Sequence, residues 1–346
     1  MNRHAELVEW YGNHIDVYTE LTSVAERTVR DLVDDSKIDY LNVTSRTKSL
    51  RSLMEKVERK GYSNPQAQNT DLAAVRIIAY VESDVRKICE LIQYAFSVHA
   101  EDSGDKTDAL DVDRVGYRSV HFICDLGESR LKLPEFSRFR DVVFEIQVRT
   151  MLQHAWAEIH YNRDYKFSGV LPRRISRQLY CLAGALELAD MNFSALASEI
   201  DNYAEEISER VRRNDLQIDI NSLSLPPYLS HKLKFLEVNG VQLVVDEHIS
   251  RMIVEELQNF GVHSLKDLDA ILNEQFLESI INHQTYTTYV GLMRDAMLVE
   301  DIDLYFANCW NSHWQEAESY TFEILKERYD GARVELMFRE RGIRWS

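Results

Sequence analysis

The sequence predicts an α/β protein. One mixed β-sheet flanked by helices is expected over residues 1–220, and a second, mainly helical domain over 221–346. Three observations lead there. At about 150 residues per domain, a chain of 346 residues has room for two. Strand-like and helix-like periods are mixed along the first part, as one sheet with covering helices requires. The one Pro-Pro of the chain, Pro226-Pro227, lies in the stretch 214–229 and marks the boundary.

The elements follow in order. Leu7, Tyr11, Ile15, Tyr18, Leu21 and Ala25 recur at steps of three and four, so the first 35 residues read as a helix with one apolar stripe. The period then changes, and Ile38–Ser45 reads as a strand. A basic helix is expected from about Thr47 to Lys60, closed by the turn residues Gly61-Tyr-Ser-Asn-Pro65. Leu72–Val81 is nearly all apolar, which suits a central strand covered on both faces. A helix over Asp84–Val98 separates it from two better-alternating strands, Ser119–Leu126 and Val142–Arg149. Helices follow from Met151 to Asp164 and from Pro172 to Arg213. The second domain offers one strand-like patch, Val241–Val245, and helices over Ser250–Phe260, Ser264–Asn273 and Trp314–Arg328. Its Trp310, Trp314, Tyr320 and Phe322 are expected in the core.

Composition excludes several classes of function. Forty Lys+Arg against 57 Asp+Glu leave a net charge of −17, and both parts are acidic. A protein that grips nucleic acid mainly by neutralising phosphates should be basic, so only a local basic pocket remains open. The four cysteines are scattered with no CxxC pair, so neither zinc nor a disulfide framework is expected. No run of about 18 apolar residues could span a bilayer. The first residues lack the apolar core of a signal peptide, so the cytoplasm is the expected location.

Chemistry is suggested by polar residues on strands that should be buried. Asp71 opens the most hydrophobic strand. Glu145, Gln147 and Arg149 stand at alternate positions of another and so share one face. Such a trio is costly to bury unless it faces a cleft, a metal or a substrate. A solvent-exposed face, or a structural Glu145–Arg149 pair, would explain the pattern equally well. Arg46, Lys48, Arg51, Lys56, Arg59 and Lys60 provide a basic complement able to grip a polyphosphate, or to form an ordinary solvated helix face. His154 and His160, six residues apart, would lie on different faces of a helix and do not suggest a metal site.

These residues carry a resemblance. Arg46-Thr-Lys48-Ser-Leu-Arg-Ser52-Leu-Met-Glu-Lys56 resembles the R-x-K-x3-S-x3-K segment of the RelA/SpoT synthetase domain, and Asp71-Leu-Ala-Ala-Val-Arg76 is similar to its D-L-x-G-x-R strand. Gly116-Tyr117-Arg118-Ser119-Val120-His121 resembles G-Y-x-S-x-H. Glu145-Ile-Gln147-Val-Arg149-Thr150, with Ala157-Glu158 and Tyr165-Lys166 after it, resembles E-x-Q-x-R-T … A-E … Y-K. The resemblance spans about residues 46 to 166 and leaves the C-terminal third outside. It implies a nucleotidyltransferase-like mixed sheet and an ATP-dependent pyrophosphokinase, which moves the β,γ-pyrophosphate of ATP to the 3′-hydroxyl of GDP or GTP and releases AMP. It implies that Arg46 and Arg76 flank the adenine and that Lys48, Ser52 and Lys56 hold the phosphates of ATP. Asp71 and Glu145 would bind Mg²⁺, with Glu145 accepting the attacking hydroxyl's proton. Tyr117 would stack on the acceptor's guanine, and His121, Gln147 and Arg149 would line the acceptor side.

Two departures matter. Family members usually carry lysines just before the Gly-Tyr motif, whereas Glu101–Arg114 holds six acidic residues against Lys106 and Arg114. An acidic segment repels a di- or triphosphate. Either Arg114 and Arg118 take those phosphates, or the acceptor is the 3′ end of a tRNA, as in toxin-type relatives, with Arg173, Arg174 and Arg177 as a short basic patch. A degenerate member that only binds nucleotide and signals is a further alternative. No His-Asp dipeptide occurs, so the hydrolase domain of other alarmone enzymes is not expected. The C-terminal part could regulate, form a homo-oligomer or hold a partner.

Overall fold

A computed structural model of the chain describes residues 3–101, 103–105, 119–166, 172–244, 251–283, 286–310 and 314–345. The chain divides into two compact units, Met1–Ser198 and Glu199–Ser346.

The first unit runs α1 (Arg3–Asp35), β1 (Tyr40–Thr47), α2 (Leu50–Lys60), α3 (Pro65–Gln68), β2 (Ala73–Ala79), α4 (Glu82–Ala95), β3 (Ser97–Val98), β4 (Gly104–Asp105), β5 (Val120–Asp125), α5 (Glu128–Leu131), β6 (Phe144–Thr150), α6 (Met151–Lys166) and the start of α7 (Arg173–Arg212). The strands form one sheet in the order β1-β2-β6-β5-β3, with β4 also paired to β5. β2 and β6 run parallel, while β1–β2 and β5–β6 are antiparallel, so the sheet is mixed as expected.

Strand alternation divides the sheet chemically. Val43, Val75, Ile77, Phe122, Phe144, Ile146 and Val148 point to one side and pack with Leu21 and Val29 of α1 and Ile88 and Ile92 of α4. Each such side chain, fully buried, contributes about 1.5–3 kcal/mol. The other side is polar. Register places Arg46 beside Ala74, Ala74 beside Glu145, and both Arg76 and His121 beside Gln147, so these residues share the face opposite the core.

The expected basic helix is shorter at its start. Arg46 and Thr47 stay in β1, and the amide of Lys48 still bonds the Leu72 carbonyl at 2.8 Å. Ser49 is the N-cap, its Oγ accepting from the Ser52 amide at 3.3 Å. Gly61, at φ 64°, closes the helix in the left-handed conformation that glycine tolerates.

The second unit contains the rest of α7, then α8 (Leu225–Lys232), α9 (Lys234–Val238), β7 (Gln242–Val244), α10 (Arg251–Phe260), α11 (Leu265–Ile271), α12 (Glu274–His283), β8 (Tyr286–Thr288), α13 (Tyr289–Glu300), α14 (Ile302–Asn308), β9 (Glu316–Ala317), α15 (Ser319–Arg328), α16 (Gly331–Glu340) and β10 (Arg344–Trp345). It is mainly helical, as expected. The division falls at Ser198/Glu199 and not at 220/221. Ile207, Val211, Ile218 and Ile220 belong to the core that also holds Leu229, Leu257 and Phe338. The Ile220 amide donates to the His263 carbonyl at 2.9 Å. Pro226 and Pro227 sit in the first turn of α8, where a missing amide proton costs no helical bond, so they start a helix and do not form a linker. Trp314 precedes β9 and is not part of α15. Tyr320 is buried, and Trp310, Trp314 and Phe322 lie half-buried against the same core. Among the described residues, no helix is long and apolar enough to cross a membrane.

Candidate active site

The polar face of the first unit holds two connected sets of side chains. The first lies where β1 runs into α2. Lys48 Nζ stands 2.5 Å from Asp71 Oδ2, and Lys56 Nζ stands 2.9 Å from Asp71 Oδ1. Tyr11 of α1 fixes the junction by donating to the Lys48 carbonyl at 2.9 Å. Burial alone would raise the Asp71 carboxyl, but the two lysines outweigh it and hold that carboxyl below its ordinary value. Burial pushes the Lys48 ammonium down, with Asp71 opposing. Ser52 is exposed in the first turn of α2, and its amide serves the helix cap.

The second set runs along β5 and β6. Glu145, Gln147 and Arg149 are 8 %, 7 % and 6 % exposed, which removes the solvent-facing explanation of this trio. Arg149 Nη2 donates to Gln147 Oε1 at 2.8 Å, and Gln147 Nε2 donates to Glu145 Oε2 at 2.7 Å. Gln147 thus bridges Arg149 and Glu145. His121 Nδ1 lies 2.5 Å from Glu145 Oε1, and its Nε2 lies 2.5 Å from Ser119 Oγ. Ser119 is the serine of the G-Y-x-S-x-H motif, to which the sequence-based reading gives no role; it lies just before β5, two residues from His121.

Arginines join the two sets. Burial first, and then repulsion from Arg76, pushes the Arg149 guanidinium down to about 10, so it is charged at neutral pH. Arg46 acts electrostatically on both Lys48 and Arg149. Arg76 Nη1 bonds Glu158 of α6 at 3.2 Å, while Arg76 Nε and Arg149 Nε are buried without a hydrogen-bond partner among the described residues. Glu158, part of the Ala-Glu motif, is therefore the anchor of Arg76, a role with no sequence signal. Burial and Arg76 also lower the His154 imidazole, which stands 3.8 Å from Glu158. The His160 side chain, like that of Tyr165 or Lys166, lies outside the described residues, and Tyr117 and most of the acidic segment before it lie outside them too.

The expected meeting of Asp71 and Glu145 has one geometric support. Asp71 lies three residues before Ala74, the register partner of Glu145 in the parallel β2–β6 pair. Among the described residues, no group of three or more His, Cys, Asp or Glu is gathered for a metal. Two carboxylates completed by substrate phosphates form the oxygen donor set of Mg²⁺, which rarely uses an all-protein cage. The residues present fit that ion.

Behind this face, Thr150 Oγ1 donates to Asp190 Oδ2 of α7 at 2.6 Å and accepts from the Gln153 amide at 3.1 Å. Gln153 Nε2 donates to Glu82 at 3.0 Å, and the Glu82 amide donates to Ser194 Oγ at 2.9 Å. These bonds hold the C-terminal end of β6.

Residues 45–169 match the family model described as the region found in RelA / SpoT proteins. The chain is 26 % identical over 193 residues to the GTP pyrophosphokinase YjbM of Bacillus subtilis, a match covering 55 % of this chain and 87 % of the relative. It is 26 % identical over 161 residues to the GTP pyrophosphokinase YwaC of the same organism, covering 45 % and 73 %. The crystal structure of the small alarmone synthetase 1 from Bacillus subtilis, 23 % identical, aligns with a TM-score of 0.46 over 56 % of this chain and 98 % of that one. Residues 45–169 of this chain are thus similar to the region found in RelA / SpoT proteins.

Proposed function

We propose that the first unit is an ATP-dependent pyrophosphokinase that transfers the β,γ-pyrophosphate of ATP to the 3′-hydroxyl of GDP or GTP, yielding (p)ppGpp and AMP. The observation that carries this reading is the gathering of the half-buried Lys48, Lys56 and Arg76 and the buried Arg149 on the face that holds Asp71 and Glu145, inside the RelA/SpoT region. Relatives named GTP pyrophosphokinases support it.

Lys48 and Lys56 would exchange Asp71 for the phosphates of ATP, with Ser52 at the start of α2 beside them. Arg46 and Arg76 would flank the adenine. Asp71 and Glu145 would hold Mg²⁺, which supplies neutralisation of phosphate charge when bound. Arg149 adds a fixed positive charge where the transferring oxygens gain negative charge. Tyr117, His121, Gln147 and Arg149 form the acceptor side. Glu145 accepts the proton of the attacking hydroxyl, and His121 and Gln147 hold its two oxygens in one orientation.

The acidic residues of Glu101–Arg114 favour a second reading, in which the acceptor is the 3′ end of tRNA. Incubation with ATP and GDP, GTP or deacylated tRNA, each offered alone, decides between them by AMP release. AMP with GDP or GTP is expected. AMP only with tRNA selects the second reading, and none with any acceptor leaves a nucleotide-binding signalling protein.

A further inference from the structure

We infer that the second unit binds a small organic cation, an ammonium group on a short apolar body, in a cleft between α13 and the start of α15. The cleft has a volume of about 440 Å³ and opens to solvent. Every residue that lines it belongs to the second unit.

Three elements build the walls. Gly291, Asp295 and Leu298 recur at steps of four and three, so they share one face of α13. Tyr320 and Thr321 come from the first turn of α15, Ala317 from β9, and Trp314 from the residues just before β9. The half-buried Trp314 is fixed by its Nε1, which donates to the Tyr305 hydroxyl at 3.1 Å. Among these mainly apolar walls stands one buried carboxylate. Asp295 is 6 % exposed, and its Oδ2 accepts from the Tyr320 hydroxyl at 2.7 Å and its Oδ1 from the Thr321 hydroxyl at 3.0 Å. Tyr320 is itself oriented by the Thr287 hydroxyl, 3.2 Å away. A concavity of this make-up, apolar with a few fixed polar groups, is the usual form of a small-molecule site.

Charge selects the class of ligand. Both donors to Asp295 are uncharged. The one cation among the lining residues, Arg294, is forked onto Glu256 at 2.8 and 2.7 Å. Glu316 and Glu318 form the exposed rim, and Glu316 has Arg344 as its register neighbour in β10. Burial raises the Asp295 carboxyl against its two hydroxyl donors, and Glu318 adds to the rise, so these two carboxylates repel one another. An entering anion would add to that repulsion. An ammonium would relieve it, with the rings of Trp314 and Tyr320 beside it, whose π-faces attract cations. A bare metal ion fits less well, because among the described residues no three His, Cys, Asp or Glu gather for one.

Ligand-observed NMR titration of the full chain with butylammonium tests this. At about 0.15 M salt, attraction to the overall charge of −17 is screened beyond about 8 Å. Saturable binding is expected, with a Kd on the order of 1 mM, and neutral butanol should bind about tenfold more weakly. Asp295→Asn should weaken butylammonium about tenfold and leave butanol unchanged. Glu318→Gln, at an exposed position that the fold does not depend on, should weaken it about threefold. Failure to saturate by about 20 mM overturns the inference, as does butanol binding as tightly as butylammonium, or an affinity that neither substitution lowers. Displacement of butylammonium by an equal concentration of magnesium chloride overturns the choice of an organic cation.

Discussion

The two units bury charge in different ways. In the second unit the buried or half-buried carboxylates Glu256, Asp269 and Asp295 each have close donors among the described residues. Arg294 forks onto Glu256 with bonds of 2.8 and 2.7 Å, and Asp269 takes the hydroxyl of Tyr228 and the ammonium of Lys232. Asp295 takes the hydroxyls of Tyr320 and Thr321. In the first unit the half-buried Lys48, Lys56 and Arg76 and the buried Arg149 stand with Asp71, Glu145 and Glu158, and two guanidinium Nε atoms lack a hydrogen-bond partner among the described residues. Matched burial is a cost already offset within the chain. Unmatched burial of one sign leaves that cost for an incoming anion to offset, and it distinguishes a site from a scaffold better than burial itself.

The contrast can be broken at several points. Glu145→Gln should lower kcat for AMP release on the order of 10³-fold while ATP affinity, read by calorimetry, stays within a few-fold. Wild-type turnover would remove Glu145 from the reaction. Glu256→Ala leaves the Arg294 charge buried and unpaired, so denaturant unfolding should show a loss of about 3–5 kcal/mol. A loss under 1 kcal/mol would mean the pair is as dispensable as a surface one.

Asp295 gives the next effect. Burial first, opposed by its two hydroxyl donors, raises its carboxyl from 3.8 to about 6. The folded state thus prefers the protonated form. That contribution is complete below pH 3.8, the unfolded value, and is lost as pH rises through about 6. It amounts to roughly 3 kcal/mol. The stability difference between wild type and Asp295→Asn should therefore change between pH 4 and 7, with the wild type losing ground as pH rises; a pH-independent difference would refute it. The smallest expected effect is Ser49→Ala, which removes the α2 cap and should cost about 1 kcal/mol, measured in the same unfolding experiment.

Much of the frame was legible because burial leaves a local trace. Leu72–Val81 is apolar but for Arg76, and β6 is buried along its whole length beside it. Glu145, Gln147 and Arg149 stood out by alternation alone. The start of α2 was less legible, since a run of cations reads as helix whether or not its first members still belong to a strand; Ser49 decides that. Pro226-Pro227 misplaced the boundary because a proline pair can open a helix as readily as break a chain. The links Arg76–Glu158 and Thr150–Asp190 span 82 and 40 residues, and nothing local announces such pairings.

The Thr150–Asp190 bond has a consequence for synthesis. A chain emerging from the ribosome completes β6 forty residues before the carboxylate that secures its last hydroxyl exists. A truncation anywhere in that gap leaves Thr150 Oγ1, at the C-terminal end of β6, without the carboxylate it bonds in the full chain.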